Sequence, residues 1–206
     1  MNQLKLKVCG MGQPENVAGL VDLCPDFIGF IFYKKSSRYM KDLDENLLKE
    51  IPATIKKVGV FVNEELSVVL ELVEKFGLDY VQLHGDEDLD YCYELKSKGV
   101  QIIKVFRLMD EIPVSIGEYS EVADYFLFDT QTPNYGGSGK HFDWSILNGY
   151  NLETPFLLSG GIKLEDIEDI RKIDSKALVG IDVNSKFEIE PGLKDLKMIG
   201  ELRKQL

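Results

Sequence analysis

Short apolar runs rich in β-branched and aromatic residues recur along this chain, and between most of them the apolar positions switch to helical grouping. The runs cover residues 4–9, 27–32, 57–62, 80–83, 101–106, 125–128, 155–159 and 177–181. They number about eight and follow one another every 20–25 residues or so, the spacing of a repeated strand–helix unit. Val69, Leu70, Leu72, Val73 and Phe76 form the clearest helical stripe, and residues 44–49, 87–98 and 164–172 read the same way. Pro113 and Gly117 interrupt the weakest helical segment, residues 110–120.

Alternating strands and helices predict a parallel sheet with right-handed crossovers. About eight units favour a closed single-domain (β/α)₈ TIM barrel with short loops over an open doubly wound sheet. No Pro/Ser-rich linker or compositional break divides residues 1–206, so one barrel domain is the simplest organisation.

Composition narrows the partners. With a formal charge of −11 and no basic stripe, nucleic acid is not an expected partner. Lys34, Lys35 and Arg38 are a local basic cluster, equally readable as a solvated turn. No apolar stretch approaches the roughly 20 residues of a membrane span, and the N-terminus lacks a signal-peptide layout. Cys9, Cys24 and Cys92 are too widely spaced for a disulfide framework or a zinc site. A reducing cytoplasm fits them best. Cys24 and Cys92, both in helical text, read as packing residues.

In such a barrel the chemistry collects at the C-terminal strand ends. Those ends carry Cys9-Gly10, the 33–38 segment with Arg38, Asn63, His84, Arg107, Asp129, Ser159-Gly160-Gly161 and Asp182-Val183-Asn184-Ser185. A thiol and a carboxyl group facing one small molecule can serve as base and acid of a proton-shuffling isomerase. Cys9 then needs to reach the thiolate, which a positive neighbour or a helix terminus would favour, and Asp129, preceded by Phe126, Leu127 and Phe128, needs an apolar setting to hold its proton. The bland alternatives are a buried structural thiol and a turn-forming carboxylate. His84 reads as a proton carrier or a structural hydrogen-bonding residue. Gly160-Gly161 before a helix, with Asn184 and Ser185 on the next loop, suits a phosphate group. Tyr135-Gly136-Gly137-Ser138-Gly139-Lys140 lacks nucleotide-loop spacing and reads as a mobile loop beside Asp129.

Taken in order, these segments resemble a known family. Lys7-Val8-Cys9-Gly10, Gly29-Phe30-Ile31-Phe32, Ser37-Arg38-Tyr39, Val58-Gly59-Val60-Phe61-Val62-Asn63 and Val81-Gln82-Leu83-His84-Gly85 come first. Asp129-Thr130, the 135–140 loop, Phe142-Asp143-Trp144, Leu158-Ser159-Gly160-Gly161, Asp182-Val183 and Pro191-Gly192-Leu193-Lys194-Asp195 come after them. Over essentially its full length the chain is similar to the phosphoribosylanthranilate isomerases of tryptophan biosynthesis. That resemblance implies a (β/α)₈ barrel performing an Amadori rearrangement on a small-molecule phosphosugar, with no metal and no cofactor. It implies Cys9 as general base and Asp129 as general acid. Arg38, His84 and Asp182 are then substrate-binding, with Arg38 meeting the anthranilate by a bidentate contact or by stacking. Gly160, Gly161, Asn184 and Ser185 hold the 5′-phosphate. The protein is expected as a cytoplasmic monomer or homodimer.

One segment departs from the family pattern. Asp182-Val183-Asn184-Ser185-Lys186-Phe187-Glu188 has Lys186 where the family usually has glycine. If that position needs positive φ, Lys186 is strained by about 1 kcal/mol or more. It also offers the phosphate a cationic partner. Two alternatives remain at this level: another phosphosugar isomerase, and a non-catalytic phosphate-ligand binding protein. Phe106-Arg107 stands where a two-fold-symmetric dual-substrate barrel would place a second aspartate.

Overall fold

Residues 3–41, 43–130 and 142–206 are described by the structure, a computed structural model. Eight strands close into one barrel in sequence order. They are β1 (Lys5–Cys9), β2 (Phe27–Ile31), β3 (Lys56–Phe61) and β4 (Tyr80–Leu83), followed by β5 (Gln101–Leu108), β6 (Tyr125–Thr130), β7 (Phe156–Leu158) and β8 (Leu178–Val183). All neighbours are parallel, and β1 closes on β8 with Lys7 opposite Asp182. Each apolar run of the sequence is a strand.

Strand alternation divides the core in two. Leu6, Val8, Ile28, Phe30, Val81, Leu83, Phe126 and Phe128 face outward and pack under the helices. Phe27, Val58, Tyr80, Ile103, Val105, Leu127 and Leu157 fill the barrel. Near the N-terminal end Phe27, Tyr80 and Tyr125 meet edge to face, with centroids 5.7, 5.7 and 5.8 Å apart. Such ring pairs add about 0.5–1.5 kcal/mol each beyond buried area. These rings fill the N-terminal end of the barrel interior.

The helices are α1 (Pro14–Val21), α2 (Glu45–Glu50), α3 (Leu66–Phe76), α4 (Leu89–Ser97), α5 (Ile167–Ile170) and α6 (Leu196–Arg203). Asp44, Asp88 and Asp195 cap α2, α4 and α6 by accepting backbone N–H bonds. The connection with Pro113 and Gly117 forms a 3₁₀ segment (Val114–Glu121), and another (Trp144–Gly149) lies between β6 and β7. Among the described residues no helix is long and apolar enough to cross a membrane.

Two expectations need correction. β5, β6 and β8 each run two residues beyond their predicted ends, so Arg107, Asp129 and Asp182, expected at the very tips of these strands, lie within them. Polar side chains there continue the two-residue alternation inside a closed ladder. Cys24 is not a packed helical residue: it is exposed in the turn after α1, with φ of 50°. Cys92 is buried in α4, as expected. A small hairpin, β9 (Glu188–Glu190) with β10 (Leu193–Lys194), succeeds β8. Its strands are too short to show a pattern in the sequence.

Candidate active site

The inward face that carries Phe27, Tyr80 and Leu127 below carries chemistry above. In β1 the alternation that buries Leu6 and Val8 outside turns Lys7 and Cys9 inward; in β4 it turns Gln82 inward, and His84 just beyond the strand; in β6, Asp129; in β8, Asp182. A cavity of about 380 Å³ opens at this end. Cys9, Arg38, His84, Asp129, Gly160, Gly161, Asp182, Asn184 and Ser185 all line it, whereas Asn63 and Arg107, strand-end residues of the same reading, do not, and Arg107 lines a separate cavity. Lys186 lines the Cys9 cavity too.

Cys9 is 4% exposed, and burial pushes its thiol above the ordinary value; Lys7 opposes that shift. Lys7 is fully buried, with its Nζ 2.9 Å from Asp182 Oδ1. Burial pulls the ammonium down, but Asp182 and Cys9 outweigh it, so Lys7 stays charged. The positive neighbour that a thiolate requires is therefore two residues back on the same strand face.

Asp129 is 8% exposed, and burial raises its carboxyl to about 6, against a 2.8 Å hydrogen bond donated by the Thr130 backbone N–H to Oδ1. The reason differs from the expected one. Phe126 and Phe128 face outward, and only Leu127 belongs to the barrel interior. His84 is pulled down to about 4, by burial first and then by Lys7, Arg107 and Lys104, so it is neutral at pH 7. Its Nδ1 lies 3.2 Å from Gln82 Nε2, and its Nε2 lies 3.5 Å from Asp129 Oδ2. With the Gln82 amide as donor, Nδ1 accepts and the imidazole proton sits on Nε2, facing the carboxyl group.

The glycine turn after β7 is as close as a turn can be. Gly160 has φ of 98°, and a Cβ there would lie 3.0 Å from Asp129 Oδ1. Only glycine fits both demands. The chain then enters a 3₁₀ turn (Leu164–Asp166) and the four-residue α5, so the helix-dipole contribution expected from the sequence is small. Lys186 sits in a one-turn 3₁₀ segment (Ser185–Phe187) and is not among the positive-φ residues. The strain anticipated for it is absent.

A second cavity of about 400 Å³ opens beside β5, lined by Gly85, Asp86, Glu87, Lys104, Arg107 and Tyr119 among others. Its charges are internally paired, Lys104 with Glu87 at 3.2 Å and Arg107 with Asp86, and it holds neither thiol nor histidine. Among the described residues no group of three or more His, Cys, Asp or Glu side chains is placed to hold a metal ion. The 135–140 loop lies outside the described residues.

Four contributors escaped the sequence reading: Lys7, Gln82, Glu188 and Lys194. Lys7 and Gln82 had a signal, each standing two residues before a singled-out residue and hence on the same strand face. Glu188 and Lys194 had none without the hairpin. Glu188 receives Arg38 through Nε at 2.8 and 3.0 Å and Nη2 at 2.5 Å, and Lys194 Nζ at 2.6 Å.

Comparison with known proteins accords with this geometry. A family model described as N-(5'phosphoribosyl)anthranilate (PRA) isomerase matches residues 6–205. The N-(5'-phosphoribosyl)anthranilate isomerase of Parabacteroides distasonis is 45% identical over 204 residues, covering 98% of this chain and 92% of that protein. The crystal structure of phosphoribosyl anthranilate isomerase from Thermotoga maritima superposes with a TM-score of 0.86 at 35% identity, covering 98% of each chain. A structure of phosphoribosyl anthranilate isomerase in complex with reduced 1-(o-carboxyphenylamino)-1-deoxyribulose 5-phosphate superposes with a TM-score of 0.83 at 29% identity. That match covers 98% of this chain and 97% of the other.

Proposed function

The chain belongs to the N-(5'-phosphoribosyl)anthranilate isomerase family, and from that premise we propose how its cavity carries out the reaction. The enzyme catalyses the Amadori rearrangement of N-(5-phosphoribosyl)anthranilate to 1-(2-carboxyphenylamino)-1-deoxyribulose 5-phosphate, a step of tryptophan biosynthesis. The observation that carries the assignment of roles is one cavity holding a buried thiol beside a buried cation, a carboxyl group raised to about 6, and a glycine turn.

Asp129 in its protonated form gives its proton to the furanose ring oxygen, the C1′–O bond breaks, and the anilino nitrogen's lone pair forms the Schiff base. The burial that raises Asp129 keeps that proton available near neutral pH. Cys9 as thiolate then takes the proton from C2′, leaving an enolamine. C1′ gains a proton and the 2′-hydroxyl loses one, giving the aminoketose, so the balance closes without any oxidant. Lys7 stabilises the thiolate, and Asp182 holds Lys7 beside it. His84, neutral with its proton on Nε2, orients Asp129 without competing for its proton.

The two charged ends of the substrate fix the pose. The N–H groups of Gly160 and Gly161, the Ser185 hydroxyl, the Asn184 amide and the Lys186 ammonium receive the 5′-phosphate at the β7 and β8 ends. Arg38, on the loop after β2, receives the anthranilate carboxylate.

The test generates the labile substrate in place from anthranilate, phosphoribosyl pyrophosphate and a phosphoribosyltransferase, and monitors its fluorescence on adding the protein. Conversion by the parent with losses of about 10²–10⁴-fold in Cys9→Ser and Asp129→Asn is expected. Undiminished conversion in either variant removes that residue from the mechanism. Binding of the reduced product, the stable compound seen in the related structure, measures the pose independently of turnover.

A further inference from the structure

The arginine of this site is not a free side chain waiting for an anion. Arg38 is held along its Nε/Nη2 edge by Glu188, with contacts of 2.8, 3.0 and 2.5 Å. A Cβ on Gly10 would come within 2.7 Å of the Arg38 Cδ, so the missing side chain at Gly10 makes room for the arginine to pass. Glu188 also accepts from Lys194 Nζ at 2.6 Å and from the Gly192 N–H at 3.1 Å, and its side chain is only 4% exposed. Lys194, fully buried, donates from the same Nζ to Asn184 Oδ1 at 2.6 Å. Its backbone is fastened in turn to Asn16, through N–H to Oδ1 at 2.7 Å and C=O to Nδ2 at 3.0 Å.

An unbroken chain of two ion pairs and one charge-assisted hydrogen bond therefore runs Arg38–Glu188–Lys194–Asn184, from the loop after β2 to the loop after β8. We propose that Glu188 and Lys194 are positioning residues: the ion pair sets the arginine at the carboxylate end of the substrate and the asparagine amide at its phosphate end. The chemistry supports holding rather than blocking. A guanidinium has five N–H donors in a fixed fork; Glu188 takes the Nε/Nη2 edge and Ser37 Oγ accepts one long contact from Nη1 at 3.4 Å, leaving the other Nη1 proton and the second Nη2 proton as a pair for another carboxylate. At the other end, an ammonium can only donate, so Asn184 must present its oxygen to Lys194. That leaves both Nδ2 protons as donors for a phosphate. The β9–β10 hairpin brings the two side chains together, since Lys194 pairs with Glu188 across it. This inference rests on the isomerase reading of the cavity.

The test measures affinity for three ligands: the reduced product, its analogue lacking the aromatic carboxyl group, and its dephosphorylated form. In the parent each missing anion weakens binding by about 10–100-fold, the range for charge-assisted contacts. Glu188→Gln keeps the shape and removes the charge. It is expected to reduce the carboxylate preference to under about threefold while keeping most of the phosphate preference, with KM raised and kcat little changed. Glu188→Asp, which restores the charge, recovers part of the preference. Lys194→Gln is expected to do the reverse, eroding the phosphate preference while Arg38 keeps its partner. Equal weakening of all three ligands in both variants means a merely structural hairpin and overturns the proposal. Tighter binding of the carboxylate ligand in Glu188→Gln overturns it too, because Glu188 would then be competing for the arginine. Should Glu188→Gln fail to fold, the Lys194→Gln preferences decide alone. A parent that binds none of the ligands refutes the isomerase reading instead.

Discussion

The two ends of the barrel are built from the same inward-facing positions and treat polar groups in opposite ways. At the N-terminal end the polar groups are paired by a repeated device. Asp26, Asp79 and Asp124, each just before a strand, accept the backbone N–H of Leu6, Lys57 and Ile102 on the preceding strand, all at 2.8 Å. Each also faces a cation: Arg203 at 3.1 Å, Lys56 at 3.6 Å and Lys96 at 2.8 Å. Above them the floor is aromatic, and Lys5 reaches across it to the Tyr125 hydroxyl at 3.1 Å. At the C-terminal end, Gln82 Oε1 and Thr130 Oγ1 are buried with no hydrogen-bond partner among the described residues, and an aspartic acid is kept hard to ionise. The floor is arranged for stability. The rim carries unsatisfied and displaced groups that stability alone does not call for, which is what a site awaiting a polar ligand requires.

Substitutions at the two ends should therefore separate activity from stability. The largest effect is expected for Lys7→Met. It leaves Asp182 buried without its cation, costing roughly 3–5 kcal/mol, and removes the cation from Cys9, lowering kcat about 10²-fold. Chemical denaturation and the coupled assay read the two effects separately. Asp129→Asn should lose activity yet gain stability. The folded carboxyl titrates at about 6 against an ordinary 3.8, so its stability contribution is complete below 3.8 and is lost as pH rises through 6. Replacing it should stabilise the protein by about 2–3 kcal/mol above pH 7 and by almost nothing below pH 4. At the floor, Asp124→Ala should cost about 1–3 kcal/mol by orphaning the Ile102 N–H, with kcat/KM unchanged. Cys24→Ser, exposed and remote from both ends, should shift the denaturation midpoint by less than about 0.5 kcal/mol equivalent.

The same contrast explains what could be read before the structure. Floor and outer core are written in apolar alternation, so all eight strands were legible. Cys9, Arg38, Asp129 and the glycines of the β7 loop were legible because strand ends are where polar residues have no packing reason to be. The ends of β5, β6 and β8 were set two residues short, because Arg107, Asp129 and Asp182 end the apolar runs although the ladder continues through them. Lys7 entered only as part of its motif and was given no role, although it stands two residues before Cys9 on the same strand face. The Glu188–Lys194 pair depends on a hairpin of three and two residues, below the length at which any period can be seen. Cys24 shows the converse, a small apolar residue that helical text seemed to bury and a left-handed turn exposes.

The most direct test of the acid–base pair is the pH dependence of kcat/KM in the parent and in Asp129→Asn. The working form needs Asp129 protonated and Cys9 as thiolate, although Asp129 titrates at about 6 and Cys9 above the ordinary thiol value. That form's share rises about tenfold per pH unit up to about 6, then stays level until Cys9 itself titrates. The expected result is a bend near pH 6 in the parent, and residual Asp129→Asn activity that rises straight through it. A bend near pH 6 that survives in Asp129→Asn would contradict the assignment of Asp129 as the acid.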